Sequence, residues 1–415
     1  MTGPAMTFDP VLGDLGVVTD PGRAAALLAT AVGPGVRSAS RQDTKYRPME
    51  RCQATYALAM DGGPGTIGVV TVTGAGASAR RFDDDPGLPA LAEALDPALM
   101  AARLAEVVPG LLDCRPSPVR YKPGVRCVVR YSLDTAAGPR ELYGKLLGDG
   151  IAAQVASVGA LRAAAAADPE MPAVLPLTAA WTDLGLLAQP AVERGAELNE
   201  RAFDPAVPEA DRERWLLAAG RCLAALHRAA MPGAPGATLA GDLAELRGYL
   251  APVAQVDPRL AGDYEAALEL VEAAGRDTGS QAPAAGHGAM RTDQFLIGDG
   301  GSLVLIDLDG VCLAEPARDL GNLLAYLDWK AIRRPASAEL IQRAAAAVMA
   351  GYRSGGGGGG GGEPAVRADR VAVYRAGSLL KIAGRRYRSL TVKEWPLVPH
   401  LVDAAAVLVG AGARR

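Results

Sequence analysis

The chain has 415 residues, 49% of them hydrophobic, and its net charge of −3 and pI near 5.8 exclude the strongly basic surface typical of nucleic-acid-binding proteins. No apolar run approaches the roughly 20 residues of a membrane span, and the N-terminus lacks the basic start and apolar stretch of a secretory signal. Five scattered cysteines without a Cys-x-x-Cys pair indicate free thiols and a cytoplasmic protein, and they argue against a zinc site.

Two segments in the first half of the chain resemble each other at an offset of 75 residues. Tyr46–Leu58 aligns with Tyr121–Leu133, and six of the 13 aligned positions are identical. Each segment precedes a turn and a second run of alternating and β-branched residues, which is typical of a hairpin. We therefore predict a duplicated strand–turn–strand unit, in which Lys145 of the second copy corresponds to Val69 or Val70 of the first.

The remainder of the chain becomes helical. Residues 151–167 are rich in alanine, a strand pair follows within 171–192, and a linker begins near Gln189. Helical spacing of apolar residues then dominates to the end, interrupted by short strands that bracket residues 287–310. The order predicts an α+β protein with a β-rich N-terminal lobe and a mainly helical C-terminal lobe.

Ser354 is followed by eight consecutive glycines, Gly355–Gly362. Such a run loses the most backbone entropy on ordering and offers no side chain to pack, so we predict a disordered loop over residues 354–362 between two helices. A phosphate-binding glycine loop needs glycines at set places beside a strand, and this run has no such neighbour.

Four motifs of the second half occur in a characteristic order. A helix ends in Leu226-His227, a loop begins His287-Gly-Ala, a strand ends in Ile-Asp307-Leu-Asp309, and Glu315-Pro-Ala-Arg-Asp-Leu follows. Together they resemble the aminoglycoside phosphotransferase-like (choline kinase-like) small-molecule kinases over roughly residues 120–330. The resemblance implies a bilobal protein kinase-like fold that uses ATP and Mg²⁺.

The resemblance also implies a domain division and a set of nucleotide ligands. We predict an extension with the first hairpin copy at 1–110, the kinase N-lobe at 111–190 and the helical C-lobe at 191–415. Lys145 would hold phosphates, because a lysine within an otherwise apolar strand suits that role, and the turn around Gly124 would cover them. The predicted nucleotide-binding residues are Lys145, Lys122, Gly124, Arg126 and Gln189.

Metal binding is predicted where the apolar strand ends at Asp307. Carboxylate and amide oxygens are the ligands that Mg²⁺ prefers, and it shares them with phosphates. Asp309 lies two residues on in what we predict to be an extended segment, so that both carboxylates point the same way. Gln294 falls where many members of the family have a metal-binding asparagine.

Two family features are missing from this sequence. Ala289 stands where the family has the catalytic aspartate, and a methyl group cannot accept a proton or orient a hydroxyl. Asp293 is the candidate substitute base, and His287 is expected to anchor the catalytic loop. Residues 151–167 contain no Glu or Asp to pair with Lys145, and Gln154 is their one plausible partner for it.

Two functions follow from this pattern. The first is an ATP-dependent phosphotransferase acting on a hydroxyl of a small molecule or peptide, in natural-product biosynthesis or resistance. The alternative is a pseudokinase that binds nucleotide or a peptide or protein partner without efficient transfer. Basic residues such as Arg385, Arg386, Arg388 and Lys393 favour a neutral, acidic or peptide acceptor over a polycationic antibiotic.

Overall fold

The computed structural model of the protein describes residues 8–62, 65–192, 195–357 and 366–410. Among these residues, no helix is both long and apolar enough to span a bilayer. The five cysteines are all free and buried, in agreement with the sequence. The fold is the predicted one, with two sheet-containing units first and a helical lobe after them.

The first unit is a four-stranded antiparallel sheet with two helices before it. Its helix α2 begins where Asp20 accepts hydrogen bonds from the N–H groups of Gly22 and Arg23, with a proline at the first helical position. The strands run in the order β3-β4-β5-β6. The elements are β1 (Phe8–Asp9), β2 (Gly13–Asp14), α1 (Gly16–Thr19), α2 (Pro21–Val32), β3 (Val36–Arg47), β4 (Arg51–Met60), β5 (Thr66–Thr73) and β6 (Gly76–Arg81).

The second unit repeats this plan and adds two strands from further along the chain. Its antiparallel sheet has the order β11-β12-β9-β8-β7, and α5 crosses between β9 and the strands that follow. The elements are α3 (Leu91–Ala94), α4 (Pro97–Ala105), β7 (Leu111–Lys122), β8 (Arg126–Thr135), β9 (Gly138–Leu147), α5 (Ile151–Ala167), β10 (Ala173–Val174), β11 (Ala179–Trp181) and β12 (Leu186–Pro190).

The two units share a buried hydrogen-bond pattern that extends the repeat beyond the predicted hairpins. In each, one buried aspartate accepts hydrogen bonds from a tyrosine hydroxyl and from the N–H of a turn residue with positive φ. In the first unit Asp9 accepts from Tyr46 at 2.6 Å and from Met49 at 2.9 Å. In the second Asp85 accepts from Tyr121 at 2.5 Å and from Gly124 at 2.7 Å. The repeat therefore begins at Asp9 and Asp85, upstream of the two strands that reveal it in the sequence.

The strand register corrects one correspondence between the copies. Lys145 lies opposite Val128, and Thr71 lies opposite Gln53, the residue that aligns with Val128. Thr71 is thus the counterpart of Lys145, and the assignment to Val69 or Val70 was wrong. The connection between the paired strands is one residue longer in the first copy, so a fixed offset misplaces the partner.

The helical lobe surrounds two small sheets. Strand β16 pairs with β10 and β15, β15 pairs with β13, and β14 pairs with β17. The helices of this lobe contribute most of its two apolar cores. The elements are β13 (Ala196–Glu197), α6 (Leu198–Arg201), α7 (Glu209–Arg228), α8 (Leu239–Arg247), α9 (Leu250–Val256), α10 (Pro258–Asp277), β14 (Ala284–Gly286), β15 (Phe295–Ile297), β16 (Leu303–Leu305), β17 (Cys312–Ala314), α11 (Pro316–Arg333), α12 (Ala338–Tyr352), α13 (Ala368–Arg388) and α14 (Val398–Gly410).

The predicted disordered loop at 354–362 is corrected in its first part. Residues 353–357 follow α12 as a turn in which Gly355 and Gly356 leave the helical conformation, whereas 358–365 lie outside the described residues. The turn packs on α7, where a Cβ added to Gly355 would come within 3.0 Å of the Cα of Arg221. The guanidinium of Arg228 also donates to the carbonyl oxygen of Gly355. Close packing and this hydrogen bond order the start of the glycine run.

The first unit also contacts the helical lobe directly. Arg41 of β3 donates to the carbonyl oxygen of Leu390 at 3.2 Å, and the Leu390 side chain is buried in the core of the first unit. The first unit is therefore packed on the end of α13 and does not extend away from the molecule.

Candidate functional site

The loop that follows β14 is held by the first turn of α11. The buried carboxylate of Asp319 accepts hydrogen bonds from the N–H groups of His287 at 2.6 Å and Gly288 at 2.9 Å. The Nε2 atom of His287 lies 2.9 Å from the carbonyl oxygen of Ile306, just before Asp307. His287 therefore connects the loop to the strand that carries the predicted metal ligands.

Two further residues of α11 hold the same loop and were not singled out from the sequence. Arg318 donates to the carbonyl oxygen of Gly288 at 2.7 Å, and it forms a bidentate ion pair with Asp242 at 2.8 Å. Asn322 donates to the carbonyl oxygen of Met290 at 2.9 Å. The sequence did contain a signal for both residues. Arg318 and Asn322 are four residues apart on the helix that begins after Glu315, and residues at this spacing lie on the same face of a helix.

The loop places Ala289 and Asp293 in different surroundings. Gly288, Ala289 and Arg291 line a cavity between the lobes, whereas Asp293 does not. The carboxylate of Asp293 lies 2.9 Å from Arg291 and accepts from Gln294 at 3.0 Å. Asp293 thus lies behind Arg291 and is not part of the lining, and the position expected for a catalytic base carries only a methyl group.

Four charged side chains meet where the lobes face each other. Arg126 and Lys145 extend from β8 and β9, and Asp307 and Asp309 follow β16. Arg126 lies 3.0 Å from Asp307 and Lys145 lies 3.5 Å from it, and both cations also contact Asp309. Burial would raise the pKa of Asp307, but Lys145 and Arg126 outweigh it and lower that pKa to about 2. Burial lowers the pKa of Lys145 to about 8.

The backbone between Asp307 and Asp309 is not extended, so the predicted conformation of this segment is corrected. Asp307 has φ +59° and is followed by a 3₁₀ turn at Leu308–Gly310, so the segment is not extended. The left-handed conformation is uncommon for a residue other than glycine and is found where the surroundings fix it. The turn still brings Asp307 and Asp309 to the same two cations.

The residue types at this point fit a magnesium ion. Asp307 and Asp309 supply carboxylate oxygens, and the buried Oε1 of Gln294 has no hydrogen-bond partner although its Nε2 has one. Among the described residues there is no cluster of three or more His, Cys, Asp or Glu that would form a complete metal cage. Mg²⁺ bound here would therefore depend on nucleotide oxygens and water for its other ligands.

The turn that joins β7 to β8 borders this cleft, and the loop at Asp85 holds it in place. Gly124 has φ +67°, and its N–H is bound by Asp85. A Cβ on Gly87 would lie 2.6 Å from the Cα of Gly124, so the loop of Asp85 touches the turn directly. Lys122 of the turn lines the cavity, and burial together with Arg126 and Arg120 lowers its pKa to about 8.

The last predicted nucleotide residue, Gln189, lies on β12. Its side chain donates to the carbonyl oxygen of Leu175 at 3.0 Å, and its backbone pairs with Tyr143 of β9. Gln189 is not part of the cavity lining. The structure thus brings Lys122, Arg126, Lys145, Asp307 and Asp309 together at the cleft, with Gly124 in the adjoining turn, and it places Gln189 and Asp293 apart from the cavity.

The cavity between the lobes has a volume of about 260 Å³ and is strongly cationic. Asp242 and Asp307 are its only carboxylates among the described residues, and both form ion pairs. Burial would raise the pKa of Tyr326 in its wall, but Arg385 and Arg291 outweigh it and lower that pKa. The cations of the lining are Arg120, Lys122 and Arg126 from the β-rich side and Arg291, Arg318, Lys381 and Arg385 from the helical side.

Comparison with known proteins agrees with this architecture. The sequence model of the phosphotransferase enzyme family (APH) matches residues 151–356. No curated protein sequence matches the chain significantly.

Two solved structures illustrate the shared fold. A candidate aminoglycoside phosphotransferase from Ralstonia eutropha superposes with a TM-score of 0.54 at 15% identity, over 74% of this chain and 97% of that one. The choline kinase LicA from Streptococcus pneumoniae gives a TM-score of 0.50 at 12% identity, over 76% of this chain and 98% of that one. At these identities the likeness shows the fold alone. Residues 151–356 therefore match the phosphotransferase enzyme family, and the chain is aminoglycoside phosphotransferase-like in its fold.

Proposed function

We propose that the protein is an ATP-dependent, Mg²⁺-dependent phosphotransferase for a small molecule. The observation that supports this most is the meeting of Lys145 and Arg126 from the β-rich lobe with Asp307 and Asp309 from the helical lobe. Phosphoryl transfer depends mainly on positioning and on neutralising the charge of the transferred group, and these residue types perform both tasks. The names of the similar structures, a choline kinase and a candidate aminoglycoside phosphotransferase, support a small-molecule acceptor.

Each side chain has a separate role in this proposal. Lys145 and Arg126 bind phosphate oxygens, and the turn at Lys122–Val125 covers them. Asp307, Asp309 and Gln294 hold the metal, which when bound neutralises charge on the phosphates. Because Arg126 and Lys145 already pair with both carboxylates, nucleotide and metal must exchange these ion pairs for new ones as they enter.

The acceptor lies in the cationic cavity beside Ala289 and Arg291. Three other predictions remain proposals: a peptide acceptor, a role in natural-product biosynthesis or resistance, and a cytoplasmic location. The pseudokinase alternative, with nucleotide or a protein partner bound but no transfer, is not supported by the comparisons. It makes a distinct prediction, because binding would then occur without turnover.

A labelling experiment tests the proposed function with no assumption about the acceptor. The protein is incubated with γ-labelled ATP, Mg²⁺ and a fractionated extract of small molecules, and the label is followed into new products. We expect a labelled small molecule with the wild type and none with Lys145→Ala or Asp307→Ala, whereas Arg130→Ala, an exposed change on β8, retains transfer. Binding of ATP with no labelled product in any fraction would favour the pseudokinase.

A further inference from the structure

The acceptor side of the cleft carries more positive charge than its neighbouring acids neutralise. Arg120 and Lys122 line the cavity, and no carboxylate of the described residues forms an ion pair with either of them. Arg291 stacks with its guanidinium carbon 5.0 Å from the centre of the Tyr326 ring, and Arg385 reaches the hydroxyl of Tyr326 at 3.4 Å. Cations gathered in one concave site from both lobes attract an anion.

The acids around this cavity are already occupied. Asp242 is bound by both donor nitrogens of Arg318, and Asp307 is bound by Arg126. Glu245, outside the lining, accepts from Lys381 at 2.6 Å. A cationic acceptor would have to displace one of these pairs, whereas an anionic acceptor finds Arg120 and Lys122 available.

An independent feature of the same cavity concerns the general base: of the described residues, the two carboxylates that line it, Asp242 and Asp307, are held in ion pairs, and neither stands at position 289. Ala289 lines it at the position where the catalytic carboxylate is expected, and Asp293 lies outside the lining. A hydroxyl acceptor must lose its proton during transfer, and that step is helped by a base. A carboxylate is already deprotonated at neutral pH, and a phosphate oxygen is as well.

Resting on the proposed function, we infer that the acceptor attacks through an ionised oxygen, a carboxylate or a phosphate, held by the cationic cavity beside Ala289. A lone pair of that oxygen forms the new bond to the γ-phosphorus of ATP. The bond between the γ-phosphorus and the bridging oxygen breaks, and ADP leaves with its electron pair. No proton is transferred, so alanine at position 289 suffices. The products are ADP and either an acyl phosphate or a diphosphate, in place of the phosphate ester that a hydroxyl acceptor would give.

Calorimetric titration in the presence of Mg²⁺ and ADP tests the anion site with simple probes. Citrate represents a carboxylate, inorganic phosphate represents a phosphate, and choline and glucose represent cationic and neutral acceptors. We expect binding of citrate, of phosphate or of both, weakened by about tenfold in Arg120→Ala and in Arg385→Ala, because each removes one charged hydrogen bond. Arg130→Ala, which leaves the cavity intact, is the matched control. Citrate alone would indicate a carboxylate acceptor, and phosphate alone would indicate a phosphate.

A second variant tests the place of Ala289 directly. Ala289→Asp adds a negative charge beside the bound anion, so we expect the affinity for citrate or phosphate to fall by about tenfold or more. Unchanged anion affinity in this variant would overturn the inference, as would binding of choline or glucose but neither anion. If ADP itself does not bind, the proposed function fails, and the titration with citrate and phosphate still shows whether the cavity binds anions. If ADP binds and neither anion does, the inference alone fails.

Discussion

The carboxylate of Asp85 accepts a hydrogen bond from the N–H of Gly124 at 2.7 Å and another from the hydroxyl of Tyr121 at 2.5 Å. Asp85 precedes the kinase-like sheet, and Gly124 is the turn residue that covers the proposed phosphate site. A loop from the segment before residue 110 therefore shapes the side of the cleft at which we propose that nucleotide binds. Because Asp9 makes the same contacts with Met49 and Tyr46, the chain contains its own structural control.

Replacing Asp85 tests whether its contact with Gly124 positions the turn between β7 and β8 for nucleotide binding. In Asp85→Asn an NH2 group replaces one carboxylate oxygen, and it faces groups that are themselves hydrogen-bond donors. We expect the loss of these hydrogen bonds to lower the free energy of unfolding by about 2 kcal/mol. We expect Asp9→Asn to cost a similar amount, and only Asp85→Asn to weaken the binding of ATP with Mg²⁺, by about tenfold. Urea unfolding and calorimetry measure the two effects. Equal nucleotide affinity in both variants would show that the turn is not set by Asp85.

Arg126 offers a second pair of matched positions, because Arg51 is its counterpart in the first copy. Arg126 is buried and contacts Asp307 and Asp309, so Arg126→Met leaves Lys145 alone to neutralise two carboxylates. We expect a loss of about 2 kcal/mol of unfolding free energy without metal. Millimolar Mg²⁺ should recover much of that loss, since the ion supplies the missing positive charge.

The measurement is thermal unfolding of Arg126→Met and Arg51→Met across a Mg²⁺ titration. Arg51→Met is expected to show neither the loss nor the recovery. If Mg²⁺ stabilised Arg126→Met no more than the wild type, the ion would not bind between Asp307 and Asp309.

The buried ion pair of Glu315 with Arg370 predicts a pH dependence of stability. Burial would raise the pKa of Glu315, but the hydrogen bonds of Arg370 outweigh it and lower that pKa from 4.5. A lowered pKa in the folded state means that the stabilisation is complete above about 4.5 and is lost as the pH falls below that value.

Glu315→Gln tests this sign. At pH 7 the variant should unfold with a free energy lower by about 3 kcal/mol, because Arg370 is left buried without its counter-charge. Near pH 3.5 the difference from the wild type should narrow, because the carboxyl of residue 315 is then largely protonated in the unfolded state, which lowers the free energy of unfolding of the wild type. Urea unfolding at both pH values gives the comparison, and a constant difference would mean that the pair does not titrate in this range.

The sequence predicts the order of lobes, the loop at His287 and the two carboxylates, because each depends on local periodicity and on motifs with fixed spacing. It does not predict the contacts of Asp85 or the ion pairs of Arg126. These join residues far apart in the chain, and only the packing of the sheets decides which side chains meet. The counterpart of Lys145 was misplaced because register depends on turn length, which a fixed offset ignores.

Local conformation also set limits on prediction. Asp307 adopts a left-handed backbone, which aspartate tolerates better than most residues but which the sequence pattern of an apolar strand does not predict. The start of the glycine run is ordered because α7 packs against it, although glycine loses more backbone freedom on folding than other residues. The longer repeat was visible in principle, since Asp-Pro occurs at both Asp9 and Asp85.

The central claim is that the four charges between the lobes form a site for ATP and Mg²⁺, and calorimetric titration of ATP tests it most directly. The titration is run with and without Mg²⁺ on the wild type, Lys145→Ala, Asp307→Ala and the control Arg130→Ala. We predict Mg²⁺-dependent binding to the wild type and the control, with the Mg²⁺ dependence lost in Asp307→Ala and the affinity reduced at least tenfold in Lys145→Ala. No heat of binding to the wild type at millimolar ATP, or equal affinity in all four proteins, would contradict the account.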